Sequence, residues 1–317
     1  MMSTKLRSLR REAACRSACG DRLSAPRNWR AKRVVPAPGS AAAALYATFF
    51  VLTISAGAAE DSASSWSGDD HGAIRLVAGS RPALPDLPLR AGAELRLRPG
   101  WHTYWRYPGD AGVPPHFDFT GSDNLKTVDV RFPAPKRMTE DGLTVIGYTG
   151  QLILPLVVVP QNPGAPVKLH MKLDYAVCEK QCVPAQGEAE LLLGSSQSTT
   201  QDVALAAAEA RVPKQVGLGK GDALVIRSMR RAAGAAQGRV LVEVAAPAGA
   251  DVSLFAEGPG PDWAFPVPAE VPDAPAGLRL FSFDLDGAPP GASYEGVAIT
   301  LTAVSGAHAI EVRSRLD

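Results

Sequence analysis

Short segments of alternating apolar and polar residues recur along this chain about every ten residues, with Gly, Pro, Asn and Asp clustered between them. That rhythm constrains the fold more than any other feature. A strand turns successive side chains to opposite faces, whereas a helix needs an apolar stripe repeating every 3.6 residues over ten residues or more. Segments 73–78, 93–98, 101–107, 116–120, 125–132, 143–148, 151–159, 167–177 and 188–193 fit the strand pattern. A polar tract, "GSSQSTTQ" (194–201), divides the chain. Six more strand-like segments follow it, at 223–231, 239–246, 252–257, 278–285, 296–304 and 309–316.

The one good helical candidate is "DVALAAAEARV" (202–212), with Asp202 as its expected N-cap. The expected fold is all-β, two β-sandwich domains after an N-terminal export segment, with the helix bridging them. The expected division is 1–59 export segment, 60–195 first sandwich, 196–220 linker with a short helix, and 221–317 second sandwich. At 317 residues the chain is long enough for two modest cores.

Charge excludes some functions. Lys+Arg number 33 against 32 Asp+Glu, so no bulk field attracts nucleic acid or an anionic membrane. The first 33 residues nevertheless carry ten Lys or Arg, and an apolar run, "AAAALYATFFVLTISAGAA" (41–59), follows them. A basic stretch, an apolar core and the small residues Ala56-Gly57-Ala58 read as a cleaved secretory signal, with an uncleaved N-terminal membrane anchor as the alternative. Beyond residue 60 no apolar run approaches the ~18–20 residues of a membrane helix. The mature chain is therefore expected to lack a membrane span and to occupy an oxidising compartment. Cys15 and Cys19 fall in the export segment, leaving one mature pair, Cys178 and Cys182.

Three chemistries suit that pair. In "HMKLDYAVC", Met171, Leu173, Tyr175 and Val177 alternate with His170, Lys172, Asp174, Ala176 and Cys178. Cys178 is thus expected on the polar face, near solvent, with Glu179-Lys180-Gln181 as a short turn and Pro184 interrupting the pairing of the return segment. As a staple the pair is weak. In the chain-entropy model, closing a loop this small contributes ~2 kcal/mol, against ~4.7 for a loop of about 100 residues. A zinc site needs four ligands at recognisable spacing, and no HxH, HxxxH or Met cluster accompanies the pair. Copper(I) held by two thiolates stays open. So does redox exchange, favoured because exposed, strainable disulfides are the reducible ones. Lys180 would favour a thiolate, while Glu179 and Asp174 would oppose it.

Four linked motifs then stand in order: "GWHTYWRYPGDAGVPP" (100–115), "RFPAPKRM" (131–138), "VIGYTGQLILPLVV" (145–158) and "LDYAVCEKQCVP" (173–184). Together they resemble the N-terminal periplasmic domain of the thiol:disulfide interchange protein DsbD, and more closely its ScsB-like branch, named for suppression of copper sensitivity. The likeness spans roughly 72–195. Segments "GPDWAFPVP" (260–268) and "ITLTAVSGAHAIEV" (299–312) resemble, less distinctively, the second β-domain of that branch.

The resemblance implies an immunoglobulin-like domain presenting a redox pair at one end, in the periplasm and without a cofactor. Cys182 would form the mixed disulfide with a partner and Cys178 would resolve it. The segment Tyr104–Pro115 would be a cap over the pair. The candidate cap or tuning residues are Tyr104, Tyr107 and Asp110, with Asp174 and Tyr175 beside the pair. The sequence ends at Asp317 without the membrane conduit or thioredoxin-like domain of full-length members. A separately encoded membrane thiol-relay protein is therefore the expected electron donor, and oxidised periplasmic thioredoxin-fold proteins the expected clients. The DsbD domains best known space their cysteines more widely, so the loop geometry need not match. The alternatives are a non-catalytic binding module braced by a hairpin disulfide, and a periplasmic copper-tolerance protein.

Plainer readings apply elsewhere. Trp101, Tyr104, Trp105 and Tyr107 read chiefly as sandwich core and rim, His102 as solvent-facing and Asp110 as a turn former. "GLGKGD" (217–222) lacks the Walker spacing, and no GxSxG, HExxH or paired-carboxylate signature occurs.

Overall fold

Backbone pairing sorts the expected segments into four sheets in the computed structural model, which describes residues 62–232, 238–272 and 274–316. The export segment, with Cys15 and Cys19, lies outside the described residues. In chain order the first strands are β1 (Ser67–Gly68), β2 (Gly72–Ala78), β3 (Leu89–Leu97), β4 (His102–Gly109), β5 (His116–Asp118) and β6 (Leu125–Val130). There follow β7 (Lys136–Glu140), β8 (Leu143–Thr149), β9 (Gln151–Pro160), β10 (Val167–Cys178) and β11 (Cys182–Leu193). After helix α1 (Asp202–Glu209) come β12 (Lys214–Gln215), β13 (Val225–Arg231), β14 (Arg239–Ala245) and β15 (Ser253–Glu257). The last are β16 (Ala269–Val271), β17 (Arg279–Asp284), β18 (Ala298–Ser305) and β19 (His308–Arg315).

The fold is all-β and immunoglobulin-like. One pair of sheets has the orders β1-β2-β3-β9-β6 and β11-β10-β4-β8-β7, with β5 added beside β10. The other pair has the orders β12-β19-β18-β15 and β13-β14-β17-β16. Each pair encloses its own apolar cluster. Ile74, Leu95, Leu154, Leu169, Met171 and Leu173 are central to the first, and Val242, Leu254, Phe281, Ile299, Leu301 and Val312 to the second. Full burial of one such side chain is worth roughly 1.5–3 kcal/mol. The alternation expected for β10 holds, since Met171, Leu173, Tyr175 and Val177 all lie in the first core. The strands not expected are β1, β7, β12 and β16. Three of them are too short to show a pattern, and β7, "KRMTE", is mostly polar and gains its place by pairing with β8.

Two local expectations are corrected. Helix α1 does not bridge the sandwiches. Leu205 and Ala208 are buried, and the helix packs on β9 and β3 of the first sandwich. Asp202 is not its N-cap, a place taken by Gln201 without a side-chain cap bond. Instead the Asp202 carboxylate accepts hydrogen bonds from the backbone N–H of Ser80 (3.0 Å) and of Thr199 (3.1 Å). The polar tract before the helix is pinned as well, with Thr199 Oγ1 donating to the Ala78 carbonyl at 2.9 Å.

The two sandwiches meet at a charged seam. The Arg106 guanidinium donates two hydrogen bonds to Glu257 (2.8 and 2.7 Å) and one to Glu311, and it stacks 4.5 Å from the centre of the Trp105 ring. Burial by itself would lower the Arg106 pKa, but the two carboxylates outweigh it and raise it. Beside it Arg137 donates to the carbonyls of Leu254 (3.2 Å) and Pro268 (2.8 Å), and Phe255 packs 5.5 Å from Trp105.

Arg106→Ala leaves Glu257 and Glu311 largely buried without their cation. It is expected to cost about 3–5 kcal/mol in urea unfolding, and a loss below about 1 kcal/mol would mean that solvent screens the seam. Burial raises the Asp202 carboxyl pKa, but the N–H donors of Ser80 and Thr199 and the Arg90 charge lower it more, to a net value below 3.8. Its stabilising contribution is therefore complete above that value and lost as pH falls through the depressed one. Losing the hydrogen bonds to its carboxylate, Asp202→Ala should cost about 1.5–3 kcal/mol at pH 7. In a pH series of thermal melts the difference should shrink only on the acid side.

Candidate functional site

Strands β10 and β11 pair in unbroken register from Val167 opposite Leu193 to Cys178 opposite Cys182. The three-residue turn 179–181 is exposed, and the two cysteines form a disulfide with a Cα–Cα distance of 4.2 Å. Pro184 does not interrupt the pairing as expected. It stands opposite Ala176, and because β11 is an edge strand its missing N–H faces away from any neighbour in that sheet.

Register then builds the surroundings of the sulfurs. Cys178 lies opposite His102 of β4, and Val177 opposite Thr103. His102 and Tyr104 therefore share the face that carries Cys178 and Ala176. On the next strands Tyr104 lies opposite Gly147, and Met138 opposite Val145. Alternation along β7 brings Glu140 to the same face.

Around Cys178 that face is not open to water. Tyr104, Val145, Ala176 and Cys178 form a small buried cluster against which Ala111 and Met138 pack. Cys178 is 0% exposed, so its expected place near solvent is overturned, and Cys182 is the exposed member of the pair. Alternation assigned the correct face, but the segment after β4 covers it. Between Tyr104 and Gly109, β4 advances five residues while its partner β8 advances only from Gly147 to Val145. This bulge sends the chain back across the sheet. Gly109 (φ 91°) permits the bend, since a Cβ there would lie 2.6 Å from the Thr144 carbonyl oxygen. Asp110 fastens the turn to β8, its N–H donating to the Thr144 carbonyl (2.9 Å) and its carboxylate accepting from the Thr144 N–H (3.0 Å). Gly112 (φ 117°) then lies flat on Tyr104, where a Cβ would come within 2.3 Å of the ring.

Tyr104 is the closest polar group to both sulfurs. Its hydroxyl lies 2.9 Å from Cys178 Sγ, 3.2 Å from Cys182 Sγ and 3.5 Å from Glu140 Oε2. Disulfide sulfurs carry no proton, so toward them the phenol is the donor. Burial, and then the Glu140 charge, push the phenol pKa up to about 12, so it stays a donor throughout the physiological range. His102 is 9% exposed, which corrects its reading as solvent-facing. Its ring stands edge-on to Tyr104, with Nε2 buried 3.4 Å from Glu140 Oε2 and without a hydrogen bond of good geometry. Glu140 Oε1 is 3.9 Å from Cys182 Sγ. Single donor atoms of His102, Glu140 and Cys178 lie within 4.8 Å of one another.

The remaining expected residues stand apart from the sulfurs. Tyr107 is buried in the main core, where burial raises its phenol strongly, followed by the charges of Asp110 and Glu257. Tyr175 lies on the core face of β10, its phenol pushed up to about 12 by burial and then by Asp69. Asp174 shares the face of Cys178 but accepts a hydrogen bond from its cross-strand neighbour Gln186. Trp101 packs beside His71, with ring centres 4.4 Å apart. The residues that sequence reasoning missed are His102 and Glu140. The signal for His102 was its spacing of two from Tyr104 on one strand. Glu140 had none, because β7 was not legible.

Residues 79–194 match the family described as "Thiol:disulfide interchange protein DsbD, N-terminal", and this part of the chain is a DsbD N-terminal-like domain. Among curated proteins no relative matches the sequence. Of solved structures, the N-terminal periplasmic domain of ScsB from Proteus mirabilis shares the fold. It is similar with a TM-score of 0.63 at 18% identity, over 81% of this chain and 98% of that one. Among the described residues no helix is long and apolar enough to cross a membrane.

Tyr104→Phe keeps the ring under the cap and removes the hydroxyl that faces both sulfurs. A hydrogen bond to a forming thiolate is worth about 1.5 kcal/mol or more, so reduction of the disulfide by dithiothreitol should slow by about tenfold. An unchanged rate would show that the phenol does not reach the departing sulfur.

Proposed function

We propose that this DsbD N-terminal-like domain carries out thiol:disulfide interchange in the periplasm through Cys178 and Cys182. In this reading it receives electrons from a membrane thiol-relay protein and passes them to oxidised thioredoxin-fold clients. The observation that carries the proposal is the asymmetry of the pair. One sulfur is exposed at the tip of a hairpin, and the other is buried beneath the cap segment beside a phenol that stays protonated. Exchange needs a sulfur that a partner can reach and a leaving sulfur whose charge is stabilised. Cys182 supplies the first and Cys178, next to Tyr104, the second.

The chemistry balances as two successive displacements in each direction. A donor thiolate attacks Cys182 Sγ, the 178–182 bond breaks, and Cys178 leaves as a thiolate that accepts the Tyr104 hydrogen bond. A second donor thiolate then attacks the mixed disulfide. The donor is released oxidised, and Cys182 departs as a thiolate, so that two electrons have reached the pair. With a client the steps run the other way. The Cys182 thiolate attacks the client disulfide, and Cys178, having lost its proton, displaces the reduced client and restores the intramolecular bond. The likeness to a periplasmic domain and the match of residues 79–194 support both the compartment and the reaction class.

The test uses Cys178→Ser, which leaves Cys182 without its resolving partner. Incubated with a periplasmic extract under mild oxidation, this variant should accumulate mixed disulfides that non-reducing electrophoresis resolves. Cys182→Ser should trap little. A reduction potential well below about −300 mV, the regime of structural disulfides, together with no trapped adduct, would make the pair a brace and sink the proposal.

A further inference from the structure

The disulfide and two neighbouring side chains form a set of possible metal donors. Cys178, Cys182, His102 and Glu140 come from four different strands, and register places them on one face of one sheet. His102 Nε2 is buried and has no hydrogen-bond partner, a state that normally costs free energy and calls for an explanation. It points at Glu140 Oε2 from 3.4 Å, and Glu140 Oε1 stands 3.9 Å from Cys182 Sγ. Zinc bonds of about 2.0–2.3 Å imply ligand-to-ligand edges of roughly 3.3–3.8 Å in a tetrahedron. One donor atom each from His102, Glu140 and Cys178 already lies within 4.8 Å of the others, so a contraction of about 1 Å would bring them to tetrahedral edges.

We propose that, once the disulfide is reduced, the thiolates of Cys178 and Cys182 close a Zn²⁺ site with His102 Nε2 and Glu140. Two thiolates, an imidazole and a carboxylate suit a borderline cation that accepts tetrahedral coordination, and they disfavour Mg²⁺ and Ca²⁺, which want oxygen alone. While the sulfurs are bonded to each other they carry no thiolate charge and cannot occupy two corners of a tetrahedron. Metal binding therefore follows the redox state. Reduction breaks the S–S bond and leaves two thiols. Zn²⁺ then displaces both thiol protons to solvent and keeps its own oxidation state. The Tyr104 hydroxyl, within hydrogen-bonding reach of both sulfurs, would lie just outside the ligand shell and donate to a thiolate. An occupied site would withhold Cys182 from partners and hold the pair reduced. Local spacing could not reveal this set, because positions 102, 140, 178 and 182 converge only through strand pairing. The absence of a recognisable zinc spacing in the sequence is thereby accounted for.

The inference requires only that the pair can be reduced, not that it exchanges with a protein. The test reduces the full chain with a water-soluble phosphine, which takes up the oxygen of one water molecule as the disulfide gains two electrons and two protons. The protein is then desalted without oxygen and titrated with Zn²⁺ against a chromophoric chelator, and with Co²⁺ in an absorbance cell. The reduced chain should bind one equivalent, and the oxidised chain at least a hundredfold more weakly. Co²⁺ should show thiolate charge-transfer bands together with the visible bands of a tetrahedral ion. His102→Gln and Glu140→Gln should each weaken Zn²⁺ binding at least tenfold, with thermal melts of the oxidised forms confirming that both fold. No uptake by the reduced chain, or full affinity in both variants, would overturn the site. A chain that traps mixed disulfides through Cys182 yet takes up no Zn²⁺ would sink the metal site and leave interchange standing. Zn²⁺ uptake with no trapped adduct would do the reverse.

Discussion

The sheet β11-β10-β4-β8-β7 buries both of its faces at one end, and the candidate site is a consequence of that constraint. An antiparallel sheet in a sandwich ordinarily turns one face to the core and the other to water. Here Val177 faces the core, while Cys178, next in sequence, faces a second small cluster with Tyr104, Val145 and Ala176. A face that carries a phenol, an imidazole and a carboxylate can be closed only if its polar atoms find partners or a ligand. The segment after β4 supplies apolar cover, through Ala111 and through Gly112 against the Tyr104 ring. The polar groups turn toward the sulfurs and toward one another.

The seam with the second sandwich holds the same strand two residues further on. Arg106 follows Tyr104 by two residues, and its guanidinium is held by Glu257 of β15 and Glu311 of β19. A partly buried cation with two carboxylates has little freedom to move, because breaking either pair leaves a charge without compensation. The bulge between Tyr104 and Gly109, which launches the cap, is thus anchored at Arg106 by the second sandwich and at Asp110 by β8. Position of the phenol and position of the cap have one structural origin.

Much of this was legible in the sequence, and the illegible parts share a cause. The strands with strong alternation, the hairpin β10–β11 and its three-residue turn follow from periodicity and turn chemistry, which are local. Face assignment for Cys178 was also local and correct. Its exposure was not, because cover comes from residues 109–112, some 70 positions away in sequence. Pro184 looked disruptive until the sheet order put β11 on an edge. His102 looked like a surface residue, since one histidine on an alternating strand carries no sign of what lies above it. Glu140 belongs to a strand with little apolar pattern of its own. The Arg106 seam joins residues 151 and 205 positions apart, beyond any windowed reading.

The geometry of the hairpin also bears on how such a pair can open and close repeatedly. Backbone register from Val167–Leu193 to Cys178–Cys182 already holds the two cysteines opposite each other, so the covalent bond closes a loop that hydrogen bonding has closed. In the chain-entropy model a loop this small contributes only ~2 kcal/mol, and part of that is redundant with the strand pairing. Reduction therefore leaves the β10–β11 ladder and the core face of β10 in place. The thiols stay near each other, which raises their effective concentration and favours reclosure. A long-range disulfide of greater stabilising value would lose that advantage, because opening it would release the chain segments it had joined. The low structural worth of the Cys178–Cys182 bond thus suits the redox use proposed for the pair.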